Sequence, residues 1–190
     1  MGILSSLEKL ADKIDAVNEQ IGRLVSWVVI FLVAVVFTDV VMRYAFNTSF
    51  VFTQELEWHL FGFIFLMGAG YTLLYDQHVR VDVIYQRLSP KARAWVNLFG
   101  CLLFLFPGVA LIIYTSSVFC WESMKFMEGS PDPGGIPFRF IIKGCIPLGF
   151  ILFFFQGISM FIRNLHIVLG VPSRIQEGEN QESKNQEGES

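Results

Sequence analysis

The chain has 190 residues, 53% of them apolar and only 16% charged, with 20 phenylalanines, against roughly 25% charged in an ordinary soluble domain. A mean hydropathy of +0.52 leaves too few polar side chains to cover a water-facing exterior, so lipid is the expected solvent. The net charge of -3 offers no basic surplus for neutralising phosphates and argues against nucleic acid as a partner, while Cys101, Cys120 and Cys145 stand singly, without the spacing of a disulfide framework or a zinc site.

In chain order, Ile3, Leu7, Leu10, Ile14, Val17 and Ile21 recur every three or four positions, opposite Glu8, Lys9, Asp12, Lys13, Asp15 and Glu19. The spacing predicts an amphipathic helix over residues 1–23, lying in the cytoplasmic interface or docked on a partner helix. Four apolar runs follow, at about 24–42, 58–75, 95–119 and 138–162, each close to the roughly 20 residues that a helix needs to cross a bilayer core. The first run follows a polar-amphipathic segment, is too long for a signal h-region and lacks a cleavage pattern, so it is expected to stay in the mature protein. Ser89 and Pro90 suit the N-cap and first position of the third helix. Val79, Val81 and Val83 alternate with Arg80 and Asp82, but a lone strand has no pairing partner at a membrane surface, so a short interfacial helix or linker is expected there. Residues 130–137 read as a turn-rich outer loop, and Pro107 and Pro147 are expected to bend their helices. Residues 166–190 form a polar tail, rich in Glu, Gln, Asn, Ser and Gly from Val171 onward and expected to be largely disordered. The segments at 1–23, 76–94 and beyond 162 carry ten Lys and Arg against four in the other connections, which places both termini in the cytoplasm. The fold class is therefore an all-α integral membrane protein: four transmembrane helices and an N-terminal amphipathic interfacial helix.

Ionisable groups at membrane depth need a reason. Asp39 and Arg43 are four apart on one face and can neutralise each other. Glu55 and Glu57 open the second helix, where the amide dipole favours acids, with Thr53 as a possible N-cap; Arg43 could also reach Glu55 across the short connection. His59 reads as a hydrogen-bonded side chain rather than a ligand. His78 and Asp82 could orient one another across a helical turn, and Lys143 reads as a snorkelling topology anchor. Gly62, Gly68, Ala69, Gly70, Gly149 and Gly157 make smooth packing faces. Gln156 is the one strongly polar side chain expected through the middle of helices two to four, too little for a proton relay or a midplane cargo site. His59, His78 and His166 at three levels argue against bis-His haem ligation; Cys120 and Cys145 could meet near the outer side, though nothing requires it. No catalytic, cofactor-binding or metal-binding set emerges.

The stretch Arg43-Tyr44-Ala45-Phe46-Asn47-Thr48-Ser49, then Thr53-Gln54-Glu55-Leu56, then Leu66-Met67-Gly68-Ala69-Gly70, then His78-Val79-Arg80-Val81-Asp82, resembles in its order the small permease subunit of TRAP transporters, the DctQ-like family. The resemblance covers essentially residues 20 to 165. Where that family often has two adjacent acids before the leucine, this chain has Gln54-Glu55, so only Glu55 carries over. The resemblance implies a non-enzymatic subunit of a tripartite uptake system in the bacterial inner membrane. Its partners would be a periplasmic (DctP-like) binding protein that delivers a small organic acid and a large (DctM-like) membrane subunit that carries the solute and the sodium, with membrane lipids around both. This chain would be the scaffold, needing no cofactor, and Asp39, Arg43, Glu55, His78, Asp82 and Lys143 would serve folding or subunit contact. The alternative is a stand-alone four-helix transporter or channel, which would move solute by itself.

Overall fold

The computed structural model describes residues 2–75 and 88–170, and all regular structure among them is helical. Helix α1 spans Gly2–Ala45, α2 Val51–Leu74, α3 Pro90–Lys125 and α4 Phe140–Leu169. The expectations for His78, Asp82, the alternation over 79–83 and the tail from 171 fall outside the described residues.

Helix α1 runs for 44 residues without a break, about 66 Å at 1.5 Å per residue and roughly twice the hydrocarbon thickness of a bilayer. The amphipathic segment expected as a separate interfacial helix over 1–23 is thus continuous with the first apolar run, because no proline or turn signal separates them. Its end is set at Asn47, which takes a φ of 50° while the amides of Phe46 and Thr48 both close on the carbonyl of Met42. Nor does the apolar stripe supply the packing face. Glu8, Ala11, Asn18, Gly22 and Val25 are buried, whereas Leu10 and Val17 are 47% and 51% exposed. Small and hydrogen-bonding side chains let two backbones approach closely, so the docked face is rotated about a quarter turn from the greasy one.

Helix α2 begins at Val51, two residues ahead of the expected Thr53 cap. Phe50 occupies the cap position without a side-chain bond, and Gln54 Nε2 donates instead to Ser49 Oγ at 2.6 Å. Helix α3 starts as its sequence indicates, with Ser89 Oγ accepting from the Ala92 amide at 3.3 Å and Pro90 in the first turn. Within it, Cys101–Leu105 widens into a π-helical stretch just before Pro107. Proline has no N–H and its ring crowds the carbonyl four residues back, here Leu103, so a looser turn at that point relieves the clash. Helix α4 carries Pro147 inside it, runs beyond its apolar stretch and ends on Gly170 with a φ of 68°. The helices extend past the apolar runs because backbone hydrogen bonding continues into polar flanks.

Among the described residues three helices, α1, α3 and α4, are long and apolar enough to cross a membrane; α2 is not among them, being diluted by Glu55, Glu57, His59 and its glycines. Helix α4 packs against all three others, and α2 also packs along α1. At Gly149 the approach is to a neighbouring backbone: a Cβ there would lie 2.5 Å from the carbonyl oxygen of Leu66, so only glycine lets α4 seat on α2.

Candidate functional site

The polar groups of the bundle gather in two knots, one at each end. One, called the outer knot after the orientation expected from the Lys and Arg asymmetry, with the other called inner, is built on the segment 126–139 between α3 and α4. Glu55, buried in the first turns of α2, accepts from Ser130 Oγ and from the Ile136 amide, both at 2.5 Å, and Arg139 Nη2 stands 3.9 Å away. These donors hold its carboxyl below its ordinary value, the Ser130 hydroxyl contributing most, then the Ile136 amide. The Arg139 guanidinium also lies over the Trp58 ring, 5.3 Å from its centre. A second carboxylate, Glu128, accepts from Lys143 Nζ and from Ser123 Oγ and is lowered likewise, chiefly by Lys143. The Lys143 ammonium rests 4.2 Å from the centre of the Phe119 ring. Two carboxylates thus tie the loop down, Glu55 reaching it from α2 and Glu128 reaching from within it to the flanking helices.

Asp39 and Arg43 pair with each other, as their spacing suggests, and Asp39 is buried. The possible link from Arg43 to Glu55 is not what forms; the loop supplies the partners of Glu55. Lys143, read from the sequence as a snorkelling topology anchor, pairs with Glu128. His59 is hydrogen-bonded, Nδ1 donating to the carbonyl of Glu55 at 2.6 Å. Cys120 and Cys145 are free thiols, donating weakly to the carbonyls of Phe140 and Ile141.

The inner knot joins the first half of α1 to the last half of α4. Asn18 Nδ2 donates to Gln156 Oε1 at 2.9 Å, Gln156 Nε2 donates to Asp15 Oδ1 at 2.8 Å, and Ser159 Oγ donates to the same oxygen at 2.6 Å. Arg163 closes the set, its Nε 2.9 Å from Asp15 Oδ2 and an Nη2 hydrogen bond to Asp12 at 3.1 Å. Asn18 is 1% exposed and Gln156 2%, and the Asn18 carbonyl oxygen points at Gly70, where a Cβ would come within 2.2 Å of it. Residue 70 must therefore lack a side chain for Asn18 to reach Gln156. On the next face of α4, Asn97 Nδ2 of α3 donates to Asn164 Oδ1 at 3.0 Å.

This knot was not anticipated. Gln156 stood out as a lone polar residue in an apolar run and Asp15 as part of a solvated face, yet a buried carboxamide demands partners. The signal was Asn18, which carries an amide to the same depth on the neighbouring helix. Between the two knots the buried side chains are mostly apolar or glycine, Ser116 donating its hydroxyl within its own helix to the Ile112 carbonyl at 2.6 Å, and among the described residues no three His, Cys, Asp or Glu side chains gather as a metal site would need. The arrangement is suited to fixing helices against one another.

The family model described as "Tripartite ATP-independent periplasmic transporters, DctQ component" matches residues 32–166. An ectoine TRAP transporter small permease protein of Halomonas elongata is 28% identical over 169 residues, covering 86% of this chain and 80% of that protein. A putative TRAP transporter small permease protein of Haemophilus influenzae is 31% identical over 78 residues, covering 41% of this chain and 48% of that protein. No solved structure matches.

Proposed function

The chain belongs to the DctQ family of small TRAP permease subunits, and from that membership we propose that it is the static brace of a sodium-driven, binding-protein-dependent uptake system for a small organic acid. As a multi-pass subunit of a TRAP transporter it implies a large membrane subunit and a periplasmic binding protein as partners. Solute and sodium belong to the large subunit, and this chain keeps part of that subunit still while the rest moves. One relative is named for ectoine; the solute of the present system would be selected outside this chain.

The observation that carries this reading is the gathering of inter-segment hydrogen bonds and ion pairs at the two ends of the bundle, with mostly apolar side chains buried between them. A carrier needs convergent polar groups and broken helices near the midplane. A brace needs helices locked in register. A fourth span is supported by pairing across α1 and α2: Val25 packs near Gly68, and Gly22 against Tyr71, so α2 retraces the depth of α1 in the opposite direction. Its 24 residues reach about 36 Å, enough to cross. Both termini then lie with the inner knot in the cytoplasm, and the loop 126–139 faces the periplasm of a bacterial inner membrane, consistent with the Lys and Arg asymmetry.

The test is affinity purification of the tagged chain from native membranes, expected to recover a large polytopic partner, together with reconstitution of the chain alone into liposomes, expected to give no uptake. Solute accumulation by the chain alone would establish the stand-alone transporter instead.

A further inference from the structure

Between the end of α2, the start of α3 and the last third of α4 lies a cavity of about 330 Å³. Its polar wall comprises Arg93, Asn97, Gln156, Arg163 and Asn164, and Pro90 in the first turn of α3 sits at its edge. The rest of the lining is leucine, methionine, alanine and isoleucine. We propose that this cavity binds the phosphate of an inner-leaflet phospholipid, with the guanidinium groups of Arg93 and Arg163 as its anchors.

Three features converge on an anion with a hydrophobic attachment. The two guanidinium groups come from different helices, and the planar fork of arginine matches phosphate oxygens in pairs. Arg163 is held in place from behind by Asp12 and Asp15 of α1, which do not line the cavity, and Arg93 is anchored through Nε to the carbonyl of Leu88 at 3.0 Å. Helix α3, capped by Ser89, aims its N-terminal end at the same space, where backbone dipoles favour negative charge. Carboxamides from both helices, Asn97 of α3 and Gln156 and Asn164 of α4, add to the polar lining.

Depth identifies the source of the anion. The cavity straddles the ends of the apolar runs: Arg163 stands just beyond the fourth, Arg93 two residues ahead of the third at Trp95, and Leu73, Leu74, Gln156 and Met160 lie inside the second and fourth. On the topology proposed above, on which this inference rests, that is the inner headgroup level, where lipid phosphodiester is the anion present at the highest local concentration. The apolar part of the lining would then receive glycerol and the first carbons of the acyl chains.

The experiment is native mass spectrometry of the detergent-purified, delipidated full-length chain with phosphatidylglycerol, with diacylglycerol of the same chains, and with inorganic phosphate. Phosphatidylglycerol is expected to form a one-to-one adduct that diacylglycerol does not. Arg93→Gln should weaken the adduct roughly tenfold, the scale of one charge-assisted hydrogen bond. Arg23→Gln, on α1 outside the cavity, should leave it unchanged, and Asn97→Leu should weaken it without touching the α1 to α4 contacts. Retention of the lipid in millimolar phosphate assigns the site to lipid, while displacement assigns it to a soluble phosphate and upholds the same recognition. Equal adducts for the wild type and Arg93→Gln, or equal binding of diacylglycerol, overturn the proposal. Labelling of single cysteines from each side of the membrane reads the topology separately, so an inverted topology would be told apart from an absent site.

Discussion

Gln156→Leu separates a brace locked by polar contacts from a bundle held by apolar packing alone. Leucine is close in volume, so little cavity is made, but the substitution removes an acceptor for Asn18 at 2.9 Å and a donor to Asp15 at 2.8 Å. Asn18 keeps only the Ile14 carbonyl at 3.3 Å, and its own carbonyl oxygen already has no partner. A neutral amide pair contributes about 1 kcal/mol, a charge-assisted bond about 1.5 to 3, and a stranded buried donor costs a further 1 to 3. Bonds within membranes run lower, near 0.6 kcal/mol on average, so the expected loss is about 2–4 kcal/mol. Asp15 retains Ser159 and Arg163, which limits the damage. The assay is unfolding in mixed micelles with increasing dodecyl sulfate, followed by far-UV circular dichroism and tryptophan fluorescence. Asn18→Ala and the double variant complete a cycle. Once Gln156 is gone, truncating Asn18 removes a stranded group, so the double variant should be less destabilised than the sum by about 1 kcal/mol. Additivity within about 0.3 kcal/mol would refute a network and leave two independent packing residues.

Other consequences are equally open to measurement. Gly149→Leu would drive a side chain into the Leu66 carbonyl and should destabilise the bundle by about 3 kcal/mol or more in the same titration; near-wild-type stability would mean that α2 and α4 do not approach so closely. The carboxyls of Glu55 and Glu128 are both held below the ordinary value of 4.5. Their contribution to the folded loop is therefore complete above about pH 4.5 and is lost as pH falls through the lowered folded values. Hydrogen exchange of residues 126–139 should accordingly be unchanged between pH 7 and pH 5, after correction for the intrinsic rate, and rise below about pH 4; a rise between 7 and 5 would contradict the assignment. Glu55→Gln, which turns one acceptor oxygen into a donor facing Ser130 or the Ile136 amide, should lower the yield of assembled complex and the uptake rate without altering which solute competes, as read by competition with unlabelled solutes.

Much of the architecture was visible in the sequence because lipid enforces a simple rule: a long apolar run must become a helix, since the bilayer offers its backbone no other hydrogen-bond partners. Ser89 and Pro90 began α3 as their chemistry dictates, and the four-residue spacing of Asp39 and Arg43 produced their ion pair. What escaped notice depends on distant segments meeting. Nothing near Glu55 in the chain announces Ser130 or Ile136 as its partners, and the stripe of Ile and Leu over 3–21 drew attention away from the face of α1 bearing Asn18 and Asp15. The Thr53 cap failed for a local reason: Gln54 reaches Ser49, and the cap moves three residues back to Phe50, nearly one further turn of helix.

Because α1 is one rod, fastened near its middle by Asp15 and Asn18 to α4, it has no joint at the membrane surface. A thinner or thicker bilayer cannot be met by folding the first two dozen residues flat; the rod must lean. On the proposed topology some 30 Å of it projects inward, and a lean of a few degrees at the outer leaflet becomes a displacement of several ångströms at the far tip. Membrane thickness would in this way be converted into the position of a cytoplasmic lever.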